Sequence, residues 1–374
     1  MGDTYANTRI LKVNAALAVL LLLFLSVVTL RAVIDSGKAW QYDKVFTDTG
    51  TLSAVIATVD DDMWAAGDGL LLHYDGTGWQ HRPMPASFGA KVFDDVRFDA
   101  VDSGGFLFTA SLDDENASWM ARWDGTRWTA LPELPDGHRV IDVRAFTADD
   151  IWVLDGETGA YHWDGTGWTA MDLPVTVTAL DGVAPDDLWA VGYDYPDGPD
   201  EHLSLPGAQP ATLHWDGHDW QPVRTPEYHY TVPAPEQLAY FTEVVALAKD
   251  DVRVYGEHTS ISEDDESDPA AETIRRRWNG TGWIELPKPE GACSDRGPWV
   301  TDGRRGAVLN AGRYLTADGL CEGIAQSKLP DPYGTASGPK QSLRLNAITS
   351  VPGTDKIIGV GTVGDASAIV SLRR

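Results

Sequence analysis

Three histidines sit in chemically suggestive company. His73, His162 and His214 each precede the aromatic of an Asp-Gly turn, and each lies downstream of an aspartate pair: Asp61-Asp62, Asp149-Asp150 and Asp186-Asp187. Histidine beside carboxylates is the raw material of general acid–base catalysis and of metal ligation. Repetition argues against both. A group that holds the same slot in successive repeats points in several directions and does not converge on one substrate. Arg122 and Arg277 fill that slot in two other repeats, and Asp250-Asp251 supplies a fourth acidic pair. The aspartates read as turn residues facing water, because Asp bonds its own backbone and favours turns.

Residues that depart from the repeat are more informative. Asp94, Arg97, Arg139, Asp142, Glu243 and Arg344 fall on predicted first strands, where they would line a central channel. They mix signs and contain no nucleophile–base pair. Tyr228, His229 and Tyr230 stand in a long link over 227–239. Residues 257–273 hold seven acidic side chains and no Lys or Arg, with Asp264, Asp265 and Asp268 the candidates for Ca²⁺. The spacing matches no calcium loop, and like-charge repulsion favours a solvated segment. No pattern calls for a cofactor or a resident metal. Cys293 and Cys321 are the only cysteines. Export would favour a disulfide, whereas the predicted register puts the two at opposite faces, so the pairing stays open.

The elements that position these residues come from one recurring phrase. Asp149-Asp150-Ile151-Trp152 leads through a turn to Tyr161-His162-Trp163-Asp164-Gly165-Thr166-Gly167-Trp168. The Asp-Gly pair tolerates positive φ and marks a tight hairpin, and the flanking indoles can meet as a cross-strand pair. Closing tryptophans at 79, 128, 168, 220 and 283 lie 49, 40, 52 and 63 residues apart. Repeats of roughly 40–50 residues with four short strands predict propeller blades. The predicted fold is all-β, a seven-bladed β-propeller with six or eight blades as alternatives. Blades are placed at about 51–85, 91–135, 139–174, 176–226, 240–289 and 296–330, with 342–374 closed by 39–46. The longest insertions, 111–118, 193–210 and 257–273, all fall between second and third strands, on one rim. Loops gathered on one rim are where binding resides.

The phrase Asp-Asp-Leu-Trp-Ala-Val-Gly at 186–192, with His-Trp-Asp-Gly at 214–217, resembles the repeats of bacterial exported β-propeller proteins. The resemblance covers 51–289, implies the fold and export, and transfers no single activity. It differs from the WD40 signature, and an Asp-box needs one more residue between Asp and Trp.

The chain's start differs in kind. Residues 13–30 carry no charge, and 18 helical residues span roughly 27 Å, the thickness of a bilayer's hydrocarbon core. The expectation is a short cytoplasmic tail over 1–12, an uncleaved signal-anchor helix over 13–34, and the remainder outside the cell membrane. The net charge of −27 disfavours nucleic acid and anionic lipid as ligands of the globular part. Two functions follow: a membrane-tethered module binding a protein, peptide or glycan through its loop-rich rim, or a propeller hydrolase or lyase with its site at the channel mouth.

Overall fold

The computed structural model describes residues 35–46, 50–89, 91, 93, 95–102, 104–112, 117–155, 159–195, 207–230, 237–260, 271–286, 299–301, 307–309, 311–316, 320–326 and 342–373. The expected anchor over 13–34 lies outside them, as do Asp94, Asp264, Asp265, Asp268 and Cys293. No helix among the described residues is long and apolar enough to cross a membrane.

Among the described residues, twenty-eight strands follow in order. β1 is Asp35–Phe46. The first four-stranded sheet is β2 (Ala54–Val59), β3 (Asp62–Gly67), β4 (Leu70–Tyr74) and β5 (Trp79–His81). The second is β6 (Asp95–Ala100), β7 (Phe106–Leu112), β8 (Ala117–Trp123) and β9 (Trp128–Ala130). The third is β10 (Asp142–Thr147), β11 (Asp150–Leu154), β12 (Gly159–Trp163) and β13 (Trp168–Asp172). The fourth is β14 (Thr176–Ala184), β15 (Asp187–Asp194), β16 (Gln209–Trp215) and β17 (Trp220–Pro222). The fifth is β18 (Gln237–Ala248), β19 (Asp251–Ser260), β20 (Glu272–Trp278) and β21 (Trp283–Glu285). An eight-stranded sheet holds the rest: β22 (Trp299–Thr301), β23 (Ala307–Leu309), β24 (Arg313–Leu315), β25 (Cys321–Gln326), β26 (Leu343–Ser350), β27 (Lys356–Val363), β28 (Ala366–Arg373) and β1.

β1 joins the two halves of that last sheet. Its start runs parallel to β25, pairing Ala39 with Ala325 and Trp40 with Gln326. Its end runs antiparallel to β28, from Gln41↔Ser371 to Phe46↔Ser367. Trp40, at the changeover, is fully buried and donates its indole N–H to the Ala311 carbonyl at 2.8 Å. A segment from one end of the chain is thereby laced into strands from the other. Across the sheets, first strands pack in sequence: β2 on β6, β6 on β10, β10 on β14, β14 on β18, and β22 on β26, which returns to β2. Six to seven blade-like sheets thus surround an axis.

The core is divided among the interfaces between neighbouring sheets. Trp64 of β3 packs against Trp123 and Trp128 of the second sheet, with ring centroids 5.2 and 5.7 Å away. Trp152 meets Trp215 and Trp220 of the fourth sheet in the same way, and Trp189 meets Trp278 and Trp283 of the fifth. Leu107 stands in the corresponding place in the second sheet and faces Trp163 and Trp168. Each turn tryptophan also faces its hairpin partner directly across the ladder, as Trp163 faces Trp168 at 5.4 Å.

The hairpin turn is built as its residues suggest. Asp164 Oδ1 accepts from the Thr166 and Gly167 amides and from the Thr166 hydroxyl, and Gly165 takes a φ of +89°. Those donors hold the Asp164 carboxyl down to about 2, below the usual carboxylate range. A Cβ on Gly165 would come within 2.8 Å of Asp149, so the Asp-Asp and Trp-Asp-Gly turns share one end of the blade.

The aspartate pairs need a correction. Asp61, Asp149, Asp186 and Asp250 are exposed, whereas Asp62, Asp150, Asp187 and Asp251 turn inward. Asp62, Asp150 and Asp187 lie 2.7, 3.0 and 2.8 Å from the Nε2 of His73, His162 and His214. Each imidazole in turn covers the interface tryptophan, with centroids 4.2, 4.4 and 4.6 Å apart. In the fifth sheet Arg277 replaces the histidine and reaches Asp251 at 2.9 Å. The second aspartate faces inward because strand alternation directs its side chain to the face that carries the histidine.

Trp189→Ala and Trp40→Ala, each emptying a buried indole site, should destabilise the protein by about 3–5 kcal/mol in urea unfolding. Val59→Ala, at a half-exposed position, should stay within about 0.5 kcal/mol.

Candidate functional site

The fourth and fifth sheets present an aromatic and polar cluster at the end opposite the Trp-Asp-Gly turns. The β18–β19 hairpin is the longest ladder in the chain among the described residues, with pairing that extends to Gln237↔Ser260. Residues 227–230 lie against that extension. Gln209 clamps Tyr228 through two bonds: its Oε1 accepts from the Tyr228 amide at 2.8 Å, and its Nε2 donates to the Tyr228 carbonyl at 3.1 Å. The Tyr228 hydroxyl accepts from Arg276 Nε at 2.8 Å, and burial raises the phenol's pKa.

Tyr230 stacks on His258, with centroids 3.9 Å apart and planes inclined by 17°. Its hydroxyl donates to the His258 carbonyl at 3.1 Å, and its amide donates to Gln237 Oε1 at 3.1 Å. His229 is the exposed member, 3.3 Å from Glu227 and accepting from Gln237 Nε2 at 2.8 Å on Nδ1. His258 itself is 2 % exposed, and its Nδ1 lies 3.8 Å from Glu272. Burial lowers its pKa and favours the neutral ring. Tyr193 and Tyr195, on the adjoining edge of the fourth sheet, form an edge-on pair at 5.7 Å.

The sequence brought Tyr228, His229 and Tyr230 to notice but gave no sign of Gln209, His258 or Arg276. Nothing in a chain read in order reveals that Gln209 and Tyr228, 19 positions apart, form a reciprocal clamp.

The second feature is a cavity of about 520 Å³ at the axis, between β6, β10, β14 and β18. Three of the anticipated channel residues, Arg97, Asp142 and Glu243, line it, and Asp99, Arg144 and Asp181 join them. Arg139 lies outside the wall, 3.9 Å from Asp95, and Arg344 is exposed on β26. Asp94 lies outside the described residues. No hydrogen bond joins any two of Arg97, Asp142 and Glu243.

Several channel groups serve as ties between sheets. Asp142 accepts from its own Val143 amide at 3.0 Å and from the Leu180 amide of the next sheet at 2.7 Å. Asp181 does likewise with Gly182 and with Ala246 of the fifth sheet, both at 2.8 Å. Arg97 is held by Asp95 and the Ile141 carbonyl; Arg144 by Asp102, Asp181 and the Gly182 carbonyl. Thr178 sits in a β-bulge of β14 and donates to the Phe241 carbonyl at 2.8 Å. Burial pushes Asp142 up to about 6, the Leu180 amide offsetting only part of that cost. Glu243, partly buried and under the influence of the Asp142 charge, is pushed up to about 8.

Cys321, on β25, is in a disulfide. Among the described residues no group of three or more His, Cys, Asp or Glu side chains is placed to hold a metal ion.

The Glu243 shift has a pH consequence. A carboxyl with a raised folded-state pKa destabilises the fold progressively as pH climbs from its unfolded value, about 4.3, toward the folded value. Glu243→Gln should therefore raise the melting temperature at pH 8–9 relative to the native chain. The gain should shrink toward zero as pH falls to 4, followed by calorimetry across that window.

No family model matches the sequence, and no curated protein matches it significantly. Solved structures do share the fold. YCF48 bound to D1 peptide superposes with a TM-score of 0.52 at 14% identity, covering 90% of this chain and 94% of that one. YCF48 from Cyanidioschyzon merolae gives 0.50 at 12% identity, covering 90% and 99%. An extracellular domain assigned to a hybrid two component system of B. thetaiotaomicron gives 0.56 at 14% identity, covering 90% of this chain and 40% of that one. At these identities the likeness establishes the all-β propeller fold of this chain.

Proposed function

We propose that this chain is a seven-bladed propeller, closed by β1 and held at the outer face of the cell membrane by its N-terminal helix. It binds a protein or peptide through the rim of the fourth and fifth blades. The observation that carries the reading is the cluster of Tyr228, Tyr230 and His258, fixed by Gln209, Gln237 and Arg276. Tyrosines held in place by their own hydrogen bonds offer contact area at low entropic cost. The strands that flank the insertions 193–210 and 257–273 end at this rim, and Glu227 and Glu272 stand exposed beside it. This acidity favours a basic partner segment. A neighbour of the same fold, YCF48, has been solved with a peptide bound, which is compatible with this use of the scaffold.

Catalysis is the weaker reading. The channel carboxylates Asp142 and Asp181 spend their oxygens on backbone amides, and no nucleophile–base pair faces the cavity among the described residues. Support for the anchor is the uncharged run over 13–30, and support for export is the likeness of the repeats to those of exported bacterial propellers.

In a pull-down from membranes, shortening both 193–210 and 257–273 should reduce partner recovery at least tenfold, and Tyr230→Ala should weaken it measurably. Equal recovery from the native and shortened chains removes the rim assignment. Protease added to intact spheroplasts should digest the propeller; full protection would place it on the other side of the membrane.

A further inference from the structure

The tryptophan hairpins of the first five sheets share one turn, and the last of them departs in its first residue. Asp75, Asp124, Asp164 and Asp216 open the turns of the first four sheets, whereas Asn279 opens the fifth. The backbone scaffold is unchanged by the difference. Asn279 Oδ1 accepts from the Thr281 amide at 3.0 Å, the Thr281 hydroxyl at 2.9 Å and the Gly282 amide at 3.0 Å. Asp164 Oδ1 accepts from the same three donors of its own turn. In each turn the first residue's amide also donates to the carbonyl three positions on, at 3.2 Å from Asn279 and 3.3 Å from Asp164. Asn279, Gly280 and Thr281 are exposed, and Asn279 is the only asparagine in the sequence followed by glycine.

The turn gathers what an asparagine needs to react with its own backbone. The nucleophile is the Gly280 nitrogen, whose N–H donates no hydrogen bond among the described residues. Gly280, at a φ of +89°, also has no Cβ to obstruct the approach. The electrophile is Asn279 Cγ. Three donors already aimed at Oδ1 stabilise the negative charge that develops on that oxygen when Cγ is attacked, in the manner of an oxyanion hole. In the aspartate turns the same donors protect instead. They hold Asp75 and Asp164 down to about 2, so those carboxyls stay ionised and resist attack. A neutral amide in the slot has no such protection.

We propose that Asn279 is a site of spontaneous deamidation in the folded protein, with aspartate as the main product. The Gly280 nitrogen bonds to Asn279 Cγ and the Cγ–Nδ2 bond breaks. Ammonia leaves carrying the Gly280 amide proton, and a five-membered cyclic imide remains. Water then adds at Cγ, the Cγ–N bond opens, and the Gly280 nitrogen regains a proton. The new carboxylate lies on the three donors that held the amide. Opening at the main-chain carbonyl would instead lengthen the loop by a methylene, and loop length sets hairpin register. Trp278 and Trp283, which face each other across the ladder at 5.7 Å, would then lose their pairing. The aged turn acquires the chemistry of the other four. The inference rests on this hairpin and is independent of the rim.

The test is peptide mapping of the full chain, kept folded in detergent micelles at pH 8.5 and 37 °C and sampled over several weeks. Electron-transfer fragmentation separates aspartate from isoaspartate. The expected result is conversion at residue 279 with aspartate in excess, while Asn346, which donates to the Leu52 carbonyl, stays unchanged. In a urea-unfolded chain isoaspartate should predominate at the same position. Asn279→Asp should melt at or above the temperature of the native chain, since the slot is built for a carboxylate. Absence of conversion at residue 279 in the folded chain overturns the proposal. So does an excess of isoaspartate there, or a lower melting temperature for Asn279→Asp.

Discussion

The structure depends on one repeated contact: an indole from the second strand of one sheet pushed into the tryptophan hairpin of the next. Trp64, Trp152 and Trp189 all make it. A four-stranded antiparallel sheet buries little by itself, and here the apolar area removed from water lies between sheets. The histidine and inward aspartate then cover the outer face of that indole. The stack shields the interface edge and fixes the ring's orientation. Without it the sheets would keep their ladders and lose the angle at which they meet.

That constraint explains what the repeated histidines are for. Their chemistry is suggestive in isolation, yet each is committed to an aspartate within its own sheet and to the face of a tryptophan. Arg277 substitutes for the histidine without disturbing the design, because a flat cation can also bridge to Asp251. The slot takes a planar group that reaches the inward aspartate, and acid–base chemistry is not needed for that. The two places left for function are those the stack does not occupy: the axis, where first strands converge, and the rim opposite the turns, where strands two and three outrun the interface.

At the axis the same economy recurs in polar form. Carboxylates on first strands reach the amide of the following sheet, and bulges turn Thr178 and Thr242 inward. The glycine that closes the Asp-Asp-x-Trp phrase belongs to this arrangement: a Cβ on Gly192 would sit 2.1 Å from the Thr176 carbonyl, against the bulged stretch of β14. The motif's last residue and the channel's lining are thus two sides of one backbone irregularity.

The sequence by itself determined the repeat, the hairpins and the cross-strand tryptophan pairs. Those depend on residues close in the chain: an Asp-Gly turn and two indoles five positions apart reach the same geometry wherever they are placed. It also marked Arg97, Asp142 and Glu243 as residues for the axis, since first strands alternate in and out with a period of two. Three things waited on the tertiary structure. The inward turn of the second aspartates was hidden because the partner histidine lies on the neighbouring strand, 11 to 27 positions on in the chain. The clamp on Tyr228 and the stacking of Tyr230 on His258 join separate strands and loops of two sheets. The distinction between Asp142, satisfied, and Glu243, left over, depends on which amide of the neighbouring sheet comes within reach, and only the angle between packed sheets decides that.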